Sequence, residues 1–115
     1  MAATGNTNLN INSSSWLTAW TVIYPGTDVV TAGSMHFVSD AVLAGKYGDV
    51  RLYDYTNAAV VAELLDTVTG TTPAKWSQSI SAGNLPAAEA IFEVQARKSV
   101  TNGGQWNLRS FLLRE

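Results

Sequence analysis

Chemistry in this chain would have to come from one histidine, a few carboxylates and a set of aromatic rings. His36, the sole imidazole, sits between Met35 and Phe37. A catalytic or metal-binding role needs convergent partners, and no HExxH, GxSxG, phosphate-loop or dinucleotide spacing supplies them. A structural histidine is the expectation. Asp54 with Glu63, or Glu89 with Glu93, could form the acid/base pair of glycoside cleavage, which works across a cleft at about 5 to 10 Å. Solvated strand carboxylates are the commoner use of such residues. Asp40, Asp49, Asp54 and Asp66 stand near turns, where Ca2+, with its need for about six or more oxygens, could find ligands. No DxDxDG spacing gathers them. These residues name no reaction, cofactor or metal, and a non-enzymatic role is expected.

The aromatic residues carry a different chemistry. Trp16, Trp20, Trp76 and Trp106, with Tyr24, Tyr47, Tyr53 and Tyr55, could offer a platform on which sugar rings stack. Cores and protein interfaces are the commoner use of such side chains. Trp76 alternates with polar residues and shares a face with Ile80, so it is assigned to the core. Tyr53 and Tyr55 share a face with Arg51 and are the candidates for glycan stacking.

The elements that position these residues are strands. In Gly48 to Asp66, GDVRLYDYTNAAVVAELLD, Val50 and Leu52 alternate with Arg51 and Tyr53. Beyond Thr56 and Asn57, Val60, Ala62 and Leu64 alternate with Val61 and Glu63. A period of two over short runs predicts a β-hairpin. An odd loop, Thr56 to Ala58, sets Leu52 opposite Ala62, Val50 opposite Leu64 and Arg51 opposite Glu63. An even loop would turn Glu63 onto the apolar face, so the apolar face fixes the register.

The remaining chain reads as strands added around that hairpin. Residues 1–15, rich in Asn, Thr and Ser, are expected to form an extended or disordered arm that orders against a partner, with Leu9 and Ile11 as its apolar contacts. Residues 16–115 form one domain. Trp16 to Tyr24 is a strand with Trp16, Thr18, Trp20, Val22 and Tyr24 on one face. Both faces are partly apolar, which predicts cover on both sides, centrally in a sandwich or at a subunit contact. Pro25-Gly26 is a turn. Asp28 to Ser39 follows as a strand with a bulge at Gly33, Asp40 to Gly48 as a connection, Thr67 to Thr72 as a loop, and Pro73 to Ser81 as a strand. Ala88 to Val100 and Gly104 to Arg114 read as a hairpin around Thr101-Asn102-Gly103, the last in a left-handed conformation. That pairing sets Lys98 opposite Trp106 and Phe92 opposite Leu112. It leaves Ile91, Phe111 and Leu113 as an outer apolar cluster. About seven strands, short turns and no long helix predict an all-β, antiparallel, jelly-roll-like sandwich.

Composition bounds the partners. Charged residues make up 14% of the chain, net −2, with no basic cluster, which argues against nucleic acid. The absence of cysteine excludes disulfides and thiolate sites and fits a reducing cytoplasm or a non-secretory exit. The first fifteen residues lack the features of a signal peptide, and no apolar run reaches the ~18 residues of a membrane span. Polarity comes largely from small uncharged groups, which cost less to desolvate than ions and suit a surface packed beside other subunits.

RLYDYTN followed by AVVAELL, then AIFEVQARKS before an NGG turn and a closing strand, resembles the small β-sandwich proteins of tailed-bacteriophage virions, such as capsid decoration (cement) proteins and tail modules. The resemblance covers about residues 48 to 114. It implies a structural protein of the virion, made in the host cytoplasm, that self-associates, commonly as a trimer, and binds major capsid protein or tail subunits. The candidate interface residues are Leu9, Ile11, Trp16, Trp20, Ile91, Phe111 and Leu113. The alternative is a carbohydrate-binding β-sandwich module using Tyr53 and Tyr55.

Overall fold

Alternating β-branched and aromatic runs, cut by Pro, Gly and Asn, become antiparallel strands in two stacked sheets. The computed structural model describes residues 2–5 and 9–115. Its strands are β1 Ala2–Gly5, β2 Leu9–Ile11, β3 Leu17–Tyr24, β4 Ser34–Ala41, β5 Lys46–Asp54, β6 Ala59–Thr69, β7 Ala74–Ser79, β8 Ala90–Lys98 and β9 Trp106–Arg114, with a single 3-10 turn at Ala82–Asn84. The first sheet runs β1-β9-β4-β7, with β2 also on β9. The second runs β3-β8-β5-β6. The expected all-β sandwich is the observed fold, with nine described strands where about seven were anticipated. The interleaved order is that of a jelly roll.

The β5–β6 hairpin has the expected register. Val50 pairs with Leu64, Arg51 with Glu63 and Leu52 with Ala62. Its loop differs. Asp54 pairs with Ala59, so four residues lie between the strands, and the odd offset is restored by a bulge at Val61. The Asp54 carboxylate holds the turn, accepting from the Asn57 amide at 3.0 Å and from Asn57 Nδ2 at 2.7 Å, while Ala58 takes a positive φ of 52°. A second bulge sets Leu65 and Asp66 opposite Asp49, with Asp66 at φ 55°. β6 continues to Thr69, through the first half of the expected loop.

The second expected hairpin does not form. β8 pairs with β3 and β5, whereas β9 pairs with β1, β2 and β4. In a jelly roll the chain crosses from one sheet to the other here, so the two strands face each other across the core instead of lying side by side. Gly103 is not among the glycines with positive φ. It bridges to Tyr47 instead. The outer cluster is likewise corrected. A bulge at Arg109 shifts the alternation of β9, which turns Trp106 and Leu108, then Phe111 and Leu113, into the core. Of the three residues only Ile91 is outside, at 43% exposure.

The N-terminal segment is corrected as well. Ala2–Gly5 and Leu9–Ile11 pair with β9 of the same chain and supply the first strand of the roll. Ile11 is buried and Leu9 packs against the core, so these apolar residues are covered by their own subunit. Residues 1 and 6–8 of the expected arm lie outside the described residues. β3 is an edge strand, not a central one. A bulge at Ala19 leaves Thr18 facing outward with Gln95, while Trp20, Val22 and Tyr24 turn inward with Val94, Phe92 and Ala90. β4 begins at Ser34, not at Asp28. The Val29 and Val30 amides turn back onto the Gly26 carbonyl at 3.1 Å, a turn that Gly26 permits with φ +99°.

The core lies between the sheets. Tyr24 stacks on Phe92 at 4.8 Å, and its hydroxyl donates to the Val30 carbonyl at 2.6 Å. Trp20 of the second sheet reaches Phe111 of the first at 6.3 Å. Trp106 spans the same gap. Its indole N–H donates to the Arg97 carbonyl on β8 at 2.9 Å, and its ring lies on Gly48 of β5, where a Cβ would stand 2.5 Å from Cε2. Gly48→Ala therefore forces the indole out of place. Its expected cost is about 1–3 kcal/mol, read as a lowered urea midpoint.

Candidate functional site

The outer face of the second sheet carries Trp16, Tyr53, Tyr55 and Ile91 of the expected functional residues, in two zones. Strand alternation on β5 and β8 points Arg51, Tyr53, Glu93, Gln95 and Arg97 outward, and neighbouring registers align Arg51 with Gln95 and Tyr53 with Glu93. The chain entering β3 lays Trp16 over them. Both guanidinium groups stand over its ring, Arg51 at 4.2 Å and Arg97 at 4.3 Å, and Arg51 also covers Tyr53 at 4.8 Å. Polar contacts lock the zone. Arg97 Nε donates to Asp49 Oδ2 at 2.7 Å, Arg51 Nε to Gln95 Oε1 at 2.6 Å, and Gln95 Nε2 to Glu93 Oε1 at 2.9 Å. Asp49 also accepts the Asp66 amide at 2.8 Å. Burial, opposed in part by Tyr53, holds the Arg51 pKa below its usual value.

The second zone is apolar and exposed. Ile23 pairs with Ile91 across β3 and β8. The Tyr55 amide donates to the Ile91 carbonyl at 2.9 Å, which continues the row onto the first residue of the β5–β6 turn. Val60, opposite Tyr53, ends it on β6. Ile23, Ile91, Tyr55 and Val60 are 66%, 43%, 61% and 38% exposed. The row runs from β3 over β8 to the β5–β6 turn and β6. Beside it, the β5–β6 turn and the Gly83–Glu89 loop enclose a depression of about 510 Å3, lined by Asp54, Thr56, Asn57, Asn84 and Glu89 among others. Much of its polarity is already engaged within the chain. Asp54 holds Asn57, Thr56 Oγ1 accepts the Ile91 amide at 2.9 Å, and Asn84 Nδ2 donates to the Val61 carbonyl at 3.1 Å.

The other candidates go to structural work. His36 Nε2 shares a hydrogen bond of 2.8 Å with Ser34 Oγ. Burial, and then Lys75 and Arg114, lower its pKa, and Nδ1 is buried with no hydrogen-bond partner among the described residues, none of whose carboxylates orients this ring as a catalytic base. The depression takes Asp54 and Glu89, one member of each expected acid/base pair, whereas Glu63 and Glu93 lie on the outer face. Asp40 is taken by Arg109 and Asn107, Asp49 by Arg97, and Asp66 by the Ser99 hydroxyl. Among the described residues no three His, Cys, Asp or Glu side chains gather to hold a metal. Of the tryptophans, Trp106 is buried, and Trp20 and Trp76 pack on the core.

Sequence reading missed the stacking of Arg51 and Arg97 on Trp16. Arg51 and Arg97 become neighbours only through the β5–β8 pairing, which no local signal announces. Tyr53 and Tyr55 were expected together. The structure covers the first with Arg51 and leaves the second exposed.

No family model and no curated protein matches the chain. Its fold does match solved structures. A carbohydrate-binding module from Cellvibrio mixtus lichenase 5A, in complex with cellotriose, is 20% identical with a TM-score of 0.61, covering 99% of this chain and 86% of that one. A family 6 carbohydrate-binding module from Clostridium cellulolyticum, in complex with xylose, gives 13%, 0.61, 99% and 87%. The infectious bursal disease virus Gx strain structure gives 13%, 0.60 and 98%, and there the chain spans 31% of the viral chain's length. These likenesses show a shared β-sandwich.

One pair tests the electrostatics. Arg109 Nη2 lies 2.7 Å from Asp40 Oδ2 and holds that carboxyl below its usual range. A folded-state pKa below the unfolded one stabilises above about pH 4, and the contribution is lost as pH falls through the folded value. Asp40→Asn should therefore cost on the order of 1 kcal/mol at pH 7. In urea unfolding, the gap from wild type should close as the pH drops below about 4.

Proposed function

We propose that this chain is a non-enzymatic structural protein of a virus particle that self-associates and binds a capsid or tail lattice through the outer face of its second sheet. The observation that carries the reading is the row of Ile23, Ile91, Tyr55 and Val60, four exposed apolar or aromatic side chains from β3, β8, the β5–β6 turn and β6. Contiguous exposed apolar patches mark interaction sites. Sparse charge, 14% of residues, lowers the cost of covering such a face. The sandwich likeness to a viral particle protein supports the same reading.

Light scattering after size exclusion should give an oligomer at micromolar concentration. Ile91→Lys should raise the dissociation constant tenfold or more, about 1.4 kcal/mol, while leaving the thermal midpoint of this exposed position nearly unchanged. A wild-type monomer contradicts the reading.

A second reading has its own observation. Tyr55 is exposed between Asp54 and Thr56, both of which line the depression, and modules solved with cellotriose and xylose share the fold along almost the whole chain. Against it, the rings of Tyr53 and Trp16 are covered by guanidinium groups, so a stacking platform is reduced to one tyrosine. A glycan array should be blank. Binding that Tyr55→Ala abolishes would reverse the order of the two readings.

A further inference from the structure

We infer that β3 is a docking edge for a second copy of this chain, which pairs its own β3 antiparallel to it and joins two four-stranded sheets into one of eight. The inference rests on the self-association proposed above and assigns its surface.

A sheet edge exposes unpaired N–H and C=O groups, and proteins blunt such edges with charge, proline, bulges or short strands. Among the described residues three of the four edges are blunted. β6 carries Glu63, Asp66 and two bulges. β7 has only six residues, one of them Lys75. The edge beside β9 is divided between β1 and β2, of four and three residues. β3 is different. It runs eight residues, LTAWTVIY, with neither charge nor proline. Its bulge at Ala19 leaves Trp20 to Tyr24 in unbroken register with β8, and among the described residues no other strand pairs with it.

The occupant follows from charge and symmetry. An uncharged strand meets its own copy without like-charge repulsion, and a two-fold axis lets one surface serve both subunits. Antiparallel pairing within a sheet puts that axis perpendicular to the sheet, so both outer faces point the same way. The two apolar rows then lie on one side of a single broad sheet, free to meet a lattice.

The chain has no cysteine, so single substitutions give unique thiols. Thr18→Cys, Thr21→Cys and Ile23→Cys lie on the outward side of β3, with Leu65→Cys on β6 and Ser77→Cys on β7 as controls. A thiol cross-linker with an arm of about 8 Å, the diagonal spacing between adjacent strands, is applied at micromolar protein concentration. Covalent dimers are expected from at least one β3 variant and from neither control, with light scattering giving a two-subunit mass. A monomeric wild type overturns this inference together with the self-association reading. A three-subunit mass, an oligomer without β3 cross-links, or cross-links at Leu65→Cys or Ser77→Cys, overturns the β3 edge alone and leaves self-association standing.

Discussion

Trp106 belongs to one sheet and is held by the other, and the rest of the molecule is arranged around that reach. Its ring fills the space above Gly48, where even a methyl group does not fit. Its N–H ends on the Arg97 carbonyl. A buried indole N–H without a partner would carry a desolvation cost of about 1–3 kcal/mol, so the contact fixes both how closely and in what register the sheets approach. The same Arg97 turns its side chain outward, to Asp49 and over Trp16. One residue thus ties the core anchor to the polar zone of the outer face, and the arrangement of that face follows from the packing beneath it.

The hairpin from Gly48 to Asp66 was legible in the sequence because both of its strands are local and its apolar face tolerates one register. Even there the loop was misread. The bulge at Val61 and the four-residue turn each change the parity, and the two changes cancel. Where a single bulge acts alone, alternation misleads. At Arg109 it moved Phe111 and Leu113 from the surface to the core, and at Ala19 it separated Trp16 and Thr18 from Trp20. The β8–β9 hairpin failed for another reason. A short Gly-rich turn serves equally well for crossing between sheets, and local pattern does not distinguish the two uses.

The candidate site was legible only in fragments. Ile91 and Tyr55 were singled out separately, one as an interface residue and one as a glycan contact. Long-range pairing of β3 with β8 and of β5 with β8 makes them neighbours in one row with Ile23. Tyr53 and Trp16 moved the other way, from candidates for open contact into a stack capped by guanidinium groups. Cation–π contacts of this kind contribute about 0.5–2 kcal/mol, and here they cover ring faces that a sugar would need. The aromatic residues counted in the sequence are therefore spent mainly on the fold, and the large apolar side chains left exposed on this face include Ile23, Ile91 and Val60 beside Tyr55.

That face gives the account its central claim, that the row of Ile23, Tyr55 and Ile91 is covered when the protein works. Hydroxyl-radical footprinting over a dilution series reads side-chain cover directly. The account predicts that these three side chains become protected as concentration rises, while Val29, 74% exposed on the β3–β4 loop, stays reactive. Equal reactivity of the row at all concentrations, or protection confined to the loop residues Val42, Leu43 and Val100, would contradict it.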